Sequence, residues 1–275
     1  MNISIVLCTF NHARWVAEAL DSILMQRTTH DWQVVAVDDA SDDGTQDILR
    51  DYAARHPDRF DLRLQDVNSG DQGCGLFVDA ISHAAGEFVA LLDGDDYWTD
   101  PAKLQRQADL LAGDPGCVLT GHNCLVRNER IGAERLLYRR PPQGELSTAD
   151  LLRWNMIPTG SIMFRNGVLD AWPAALRPLG FTDWPLQLLL SERGGVRMLP
   201  EAMSAYRIHA GGLWSANCTE QSGHAIPDTN DAGWCQIIGL WEALFDVLDA
   251  RHHAQLERQI AEARARLDPR TALAS

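Results

Sequence analysis

The apolar run Leu91-Leu92 ends in Asp93-Gly94-Asp95-Asp96, a cluster of carboxylates around a glycine. Carboxylates held side by side repel one another, so such a cluster needs a cation or hydrogen-bond donors to offset the repulsion. A divalent metal is the simplest counter-charge. Hard carboxylate oxygens suit Mg²⁺ or Mn²⁺, and a few of them with diphosphate oxygens and waters complete the shell. Taken alone, Asp-x-Asp after a strand also serves as an ordinary turn or helix cap. A second acidic segment, Val37-Asp38-Asp39-Ala40-Ser41-Asp42-Asp43-Gly44-Thr45, sharpens the metal reading, because it follows another apolar, β-branched run.

The elements that must position these segments follow from periodicity. Ile3-Ser4-Ile5-Val6-Leu7-Cys8 reads as a buried strand that stops at the polar turn Thr9-Phe10-Asn11-His12. Helical spacing of Trp15, Val16, Ala19, Leu20, Ile23 and Leu24 predicts a helix, and residues 32–37 a second strand. The acidic segment then opens a helix through Ile48, Leu49 and Tyr52. A short strand at 62–64, a glycine-rich loop at 68–75, a helix at 76–84 and the strand at 88–92 continue the alternation. Repeated β-α-β order implies a mainly parallel sheet with helices on both faces, and such sheets bind ligands beyond the carboxyl ends of their strands. Asp39 and Asp93 are therefore expected to face one cleft.

Regularity weakens after a helix through Leu104, Ala108 and Leu111 and a strand at 117–120. Short strands at 161–164 and 203–208, a helix at 183–192, a mobile polar stretch at 211–231 and an apolar helical stripe from Ile237 to Leu248 are predicted beyond. A composition shift at Pro141-Pro142 is a candidate boundary.

The sequence resembles the large inverting glycosyltransferase family 2, of GT-A fold. The resemblance is carried by Ser4-Ile5-Val6-Leu7-Cys8-Thr9-Phe10-Asn11, by Val37 to Thr45, and by Gly86-Glu87-Phe88-Val89-Ala90-Leu91-Leu92-Asp93-Gly94-Asp95-Asp96. Phe181-Thr182-Asp183-Trp184-Pro185 and Tyr206-Arg207-Ile208-His209-Ala210-Gly211-Gly212 extend it across most of the chain. It implies a Rossmann-like, mainly parallel sheet flanked by helices, with residues 1–115 as the donor-binding half, 116–230 as the acceptor side of the same domain and 231–275 as a C-terminal helical extension. It implies that Thr9 and Asn11 line the nucleotide pocket, that Asp39 recognises the base, usually uracil, and that Asp93, next to Gly94, meets the ribose or sugar. Asp95 would hold the metal on the donor diphosphate with His209 beside it, and Asp183 would be the catalytic base. The chain departs from the family pattern where Asn68-Ser69-Gly70 is followed by Gly73-Cys74-Gly75 and Asp79, without the arginine that many members carry on the next helix.

Each residue has a plainer alternative. Asp183 also fits a helix N-cap ahead of Pro185, and His209 a satisfied histidine in a glycine-containing turn. Trp184 and Trp214 suit either a core or a sugar-stacking face, and His252-His253 reads as a solvated helix face.

The composition excludes some functions. With 24 Lys+Arg against 38 Asp+Glu, a net charge of −14 and no basic stripe, a nucleic-acid partner is not expected. A nucleotide sugar bridged by a cation is compatible with that balance. Six cysteines without short paired spacing suit reduced thiols in a cytoplasm. No run approaches the roughly 20 apolar residues that span a bilayer, so membrane contact is expected to be peripheral, through a partner or a lipid-linked acceptor. The first strand-helix turn lacks G-x-G-x-x-G, against a dehydrogenase, and lacks the glycine and lysine of a nucleotidyltransferase phosphate loop. A non-catalytic sugar-nucleotide binder would keep Asp39 and Asp95 without needing Asp183.

Overall fold

The computed structural model describes residues 2–180, 182–212 and 230–267. Trp214, most of the 211–231 stretch and Phe181 lie outside them.

The first half alternates as expected: β1 (Ile3–Thr9), α1 (Val16–Leu24), β2 (Trp32–Asp38), α2 (Thr45–Arg55), β3 (Phe60–Leu64), α3 (Cys74–Ser82) and β4 (Phe88–Asp93). β5 (Tyr97–Trp98), α4 (Lys103–Gly113), β6 (Cys117–Asn128), β7 (Ala133–Leu136), β8 (Glu145–Leu146), α5 (Thr148–Arg153), β9 (Met163–Arg165), α6 (Asp183–Ser191), β10 (Gly195–Ile208), α7 (Asp231–Ala243) and α8 (His253–Leu267) complete it. The strands form one sheet in the order β3-β2-β1-β4-β9-β6-β10-β5, with β7 on β6 and β8 on β10. Pairings β1-β2, β1-β4, β2-β3 and β6-β10 are parallel, whereas β9 runs antiparallel between β4 and β6.

Successive side chains of β1 alternate between two cores, as the pleat requires. Ile3, Ile5 and Leu7 pack with α1, α2 and α4 on one face, while Val6 joins Phe77 of α3 and the α6, α7 and α8 side chains on the other. Each such fully buried aliphatic side chain contributes about 1.5–3 kcal/mol. Covered on both faces, these strands read as near-continuous apolar runs, which is why periodicity located them.

β6 and β10 are longer than the periodicity predicts. In β6 the apolar run breaks at His122-Asn123, both buried and partly satisfied inside: His122 Nδ1 lies 2.7 Å from the Asn123 carbonyl, Asn123 Nδ2 donates to the Tyr138 carbonyl at 2.9 Å, and His122 Nε2 has no hydrogen-bond partner. In β10, Pro200-Glu201 interrupts the pattern at a register shift between Leu199 and Ser204. No helix among the described residues is long and apolar enough to cross a membrane.

Candidate active site

Strand ends build the site. In register, Thr9 of β1 sits beside Asp38 of β2, and Cys8 beside Asp93 of β4. Gly94 joins the two sides: its N–H donates to the Cys8 carbonyl at 2.8 Å. A Cβ on Gly94 would come within 2.6 Å of Thr9 Cγ2 and 2.8 Å of His12 Nδ1, so the close approach of the loops demands glycine there.

On the β2 side, carboxylates are well supplied with donors. Buried Asp38 accepts from Thr9 Oγ1 at 2.7 Å, Ser41 N at 2.9 Å, Ser41 Oγ at 2.6 Å and Gln46 Nε2 at 2.8 Å. Asp39, 5% exposed, accepts from Ser69 N at 2.7 Å, Ser69 Oγ at 2.9 Å and Asn68 Nδ2 at 3.1 Å. Asn11 takes φ 56°, a left-handed conformation that asparagine tolerates. Its N–H donates to Ser41 Oγ and its Oδ1 accepts from Asp42 N, tying the β1 loop to the β2 loop.

On the β4 side, carboxylates are crowded and donors are few. Burial, then the charges of Asp95 and Asp183, push the Asp93 carboxyl up to about 8, with the Thr159 hydroxyl opposing. Burial and the charges of Asp95 and Asp93 hold the Asp96 carboxyl well above the usual range, against one hydrogen bond from Arg207 N at 2.8 Å. Asp95 goes the other way. Burial works against its charge, but the hydrogen bond to His209 and the nearby His12 outweigh it and keep the carboxyl low.

β10 delivers the histidine. His209 Nδ1 accepts from Gly211 N at 3.2 Å, which leaves the proton on Nε2, 3.0 Å from Asp95 Oδ2. The ring lies against Trp15, with centroids 4.0 Å apart. Two residues earlier, buried Arg207 fastens the edge: its Nη1 donates to the Asp95 carbonyl at 2.7 Å, its Nη2 pairs with Glu18 of α1, and its Nε lies 3.3 Å from Glu129 Oε1 beyond β6. His12 Nε2 lies 3.7 Å from the same Asp95 oxygen, and burial lowers its imidazole, with Asp95 partly offsetting and His209 adding to the shift.

Asp183 starts α6. Its Oδ2 accepts from Asn155 Nδ2 at 2.7 Å and its Oδ1 from Trp184 N at 2.8 Å, while Thr182 at the N-cap position makes no side-chain cap bond. Asp183 thus caps its own helix start and also points into the cluster, since the Thr159 hydroxyl interacts with both Asp93 and Asp183. Burial raises its carboxyl, with the Asn155 and Trp184 hydrogen bonds opposing.

Of the residues expected in the site, Asp93, Asp95, Asp183 and His209 converge, with Gly94 and Thr9 adjoining, while Asn11 and Asp39 lie on the neighbouring loops. Trp184 is core: it is 1% exposed, donates to the Leu151 carbonyl and packs edge-on against Trp241. Sequence reasoning passed over His12, Trp15, Arg207, Asn155 and Thr159. Arg207 stands inside a segment that carries the resemblance, whereas nothing in the local sequence marks Asn155.

The donor set fits a divalent cation. Asp95 Oδ2 and His209 Nε2, a hard oxygen and an imidazole nitrogen 3.0 Å apart, would hold one ion between them once the ring proton sits on Nδ1. Among the described residues no three His, Cys, Asp or Glu form a ready-made cage.

The model of glycosyl transferase family 2 matches residues 4–171, from β1 through β9. An uncharacterized protein of Mycobacterium tuberculosis strain H37Rv is 38% identical over 240 residues, 83% of this chain and 67% of that protein. In fold, the chain is similar to Staphylococcus aureus TarS solved with UDP-GlcNAc, at TM-score 0.67 and 18% identity over 96% of this chain and 73% of that one. A mannosyltransferase of Pyrobaculum calidifontis, PcManGT, solved with GDP-Man and Mn²⁺, superposes at TM-score 0.61 and 19% identity over 96% and 69% of the two chains. On a family match over more than half its length, joined to this mixed α/β sheet, the chain belongs to glycosyl transferase family 2 and is a glycosyltransferase.

Proposed function

We propose that this chain moves a sugar from a UDP-sugar to an acceptor hydroxyl with inversion at the anomeric carbon, using a divalent cation, Mn²⁺ or Mg²⁺, at Asp95 and His209. The observation that carries this reading is the convergence of Asp93, Asp95, Asp183 and His209, drawn from three separated stretches of chain, onto one edge of the sheet.

Bound there, the cation would act as a Lewis acid that steadies the charge on the departing diphosphate. The chain's own residues do the rest. Asp39, held by the Asn68-Ser69 loop, would accept from the base through the one carboxylate lone pair remaining beside the three in use. Thr9 and Asn11 brace the loops that wall the nucleotide. Asp93 faces the ribose or sugar, its carboxyl raised by burial and by the charges of Asp95 and Asp183. Asp183 takes the proton from the acceptor hydroxyl as it attacks, which is general-base catalysis. His209 would offer Nε2 to the cation as the tautomer that carries its proton on Nδ1, exchanging the contact with Gly211 N–H, and Trp15 keeps the ring in place. The acceptor in this reading is a glycan or a lipid-linked glycan, whose hydroxyl Asp183 would deprotonate.

The structural neighbours, solved with UDP-GlcNAc and with GDP-Man and Mn²⁺, support a nucleotide-sugar donor and a metal. Titration calorimetry with UDP and Mn²⁺ tests the reading. Binding that disappears with chelator, and in Asp95→Ala, is expected; binding indifferent to both overturns it. A screen of nucleotide release across UDP-, GDP- and dTDP-sugars then identifies the donor.

A further inference from the structure

The carboxylate of Asp183 is reached by a chain of side-chain amides. Asn155, in the segment after α5, donates from Nδ2 to Asp183 Oδ2 at 2.7 Å, and its Oδ1 accepts from Gln187 Nε2 at 2.8 Å. Gln187 Nε2 also donates to the Ile157 carbonyl at 2.8 Å. Asp183 and Gln187 stand four residues apart on α6 and so share a face, which Asn155 spans.

The far end fixes the direction of the chain. A backbone carbonyl only accepts, so fully buried Gln187 must turn its NH₂ toward Ile157. The second hydrogen of that NH₂ needs an acceptor, which Asn155 supplies with Oδ1, and this leaves the Asn155 NH₂ facing Asp183. The orientation is therefore set whether or not Asp183 carries a proton.

We propose that Asn155 is a positioning residue for Asp183, aimed by Gln187, which holds the carboxylate in one orientation toward the acceptor and keeps it ionised within a buried, acidic cluster. The proposal rests on the reading of Asp183 as general base. An amide suits the task because it donates without bringing a positive charge that would blunt the base. Burial pushes the Asp183 carboxyl up, and Asn155 is the first of the groups that oppose this, followed by the backbone N–H groups of Trp184 and Asp183 and then Thr159. From β4, Asp93 is the titratable group that interacts with it, while Asn155, Gln187 and Thr159 around it carry no charge.

The experiment is a ¹³C NMR titration of protein labelled at aspartate carboxyl carbons, the Asp183 resonance being the one lost in Asp183→Asn. In Asn155→Leu the Asp183 midpoint should rise by about one pH unit, so that turnover measured below it falls about tenfold. Gln187→Met, which leaves the Asn155 amide in place but unaimed, should raise it by less. A purely structural role would alter thermal stability without moving the midpoint. An unmoved midpoint in the folded variants overturns the proposal, and Gln187→Met alone decides if Asn155→Leu fails to fold. Failure of the underlying reading looks different: Asp183→Asn would then keep releasing nucleotide from the donor even though the midpoint moves in Asn155→Leu, and a positioned base would be excluded.

Discussion

Asp38 and Asp39 at the end of β2 and Asp93, Asp95 and Asp96 at the end of β4 stand two strands apart on one sheet edge, yet they live in opposite environments. The β2 pair receives seven hydrogen bonds from Thr9, Ser41, Gln46, Asn68 and Ser69. The β4 trio shares a few donors, and two of its carboxyls are held well above their usual range by burial and mutual charge. Satisfied carboxylates shape loops. Crowded ones store an electrostatic demand that an outside cation or substrate hydroxyl can meet, which is why perturbed groups gather where chemistry occurs.

Replacing members of the two groups should separate them. The largest effect is expected from Asp183→Asn, which neutralises a carboxyl that faces the crowded trio: transfer should fall about 10²–10⁴-fold, the range of general-base catalysis, with UDP affinity retained by calorimetry. Its melting temperature should fall less than that of Asp38→Asn, because relief of like-charge crowding offsets the acceptor withdrawn from Asn155 or Trp184, and an equal or larger drop would place Asp183 with the satisfied group instead. Next comes Asp38→Asn, which removes a charged acceptor from Thr9, Ser41 and Gln46. About 1.5–3 kcal/mol of stability should be lost in denaturant unfolding, and a neutral result would erase the distinction from the other side.

The smallest effect is a pH dependence. The Asp93 carboxyl rises from its ordinary 3.8 to about 8 in the folded chain, so the native state keeps a proton that the unfolded state has released across that window. The contribution of Asp93 to stability therefore falls as pH rises through the window. Asp93→Asn lacks this loss. In chelator, its melting temperature should gain on the parent's between pH 6.5 and 8, by about 2–4 °C for each kcal/mol, and parallel curves would refute the assignment.

Much of the first half was legible in the sequence because its strands are buried on both faces and its turns carry the acidic motifs. Asp39, Asp93 and Asp95 could be assigned to one sheet edge from strand ends alone. The second half hid its extent for physical reasons: β6 runs through buried His122 and Asn123, and β10 through Pro200, so polarity and proline masked strands that pairing sustains. The partners of the site residues were hidden too. Arg207, Asn155 and Gln187 act through contacts made 28 to 189 positions away, or through a carbonyl 30 positions back, and local spacing does not register such separations.

The indole of Trp15 resting on His209 gives this edge of the sheet a built-in optical reporter. Indole emission responds to a charged or metal-bound neighbour against its ring. Any event that seats an ion on Asp95 and His209 thus changes light from a residue that belongs to the first loop of the chain, and Trp15→Phe, measured beside the parent, separates that signal from those of the other eight tryptophans.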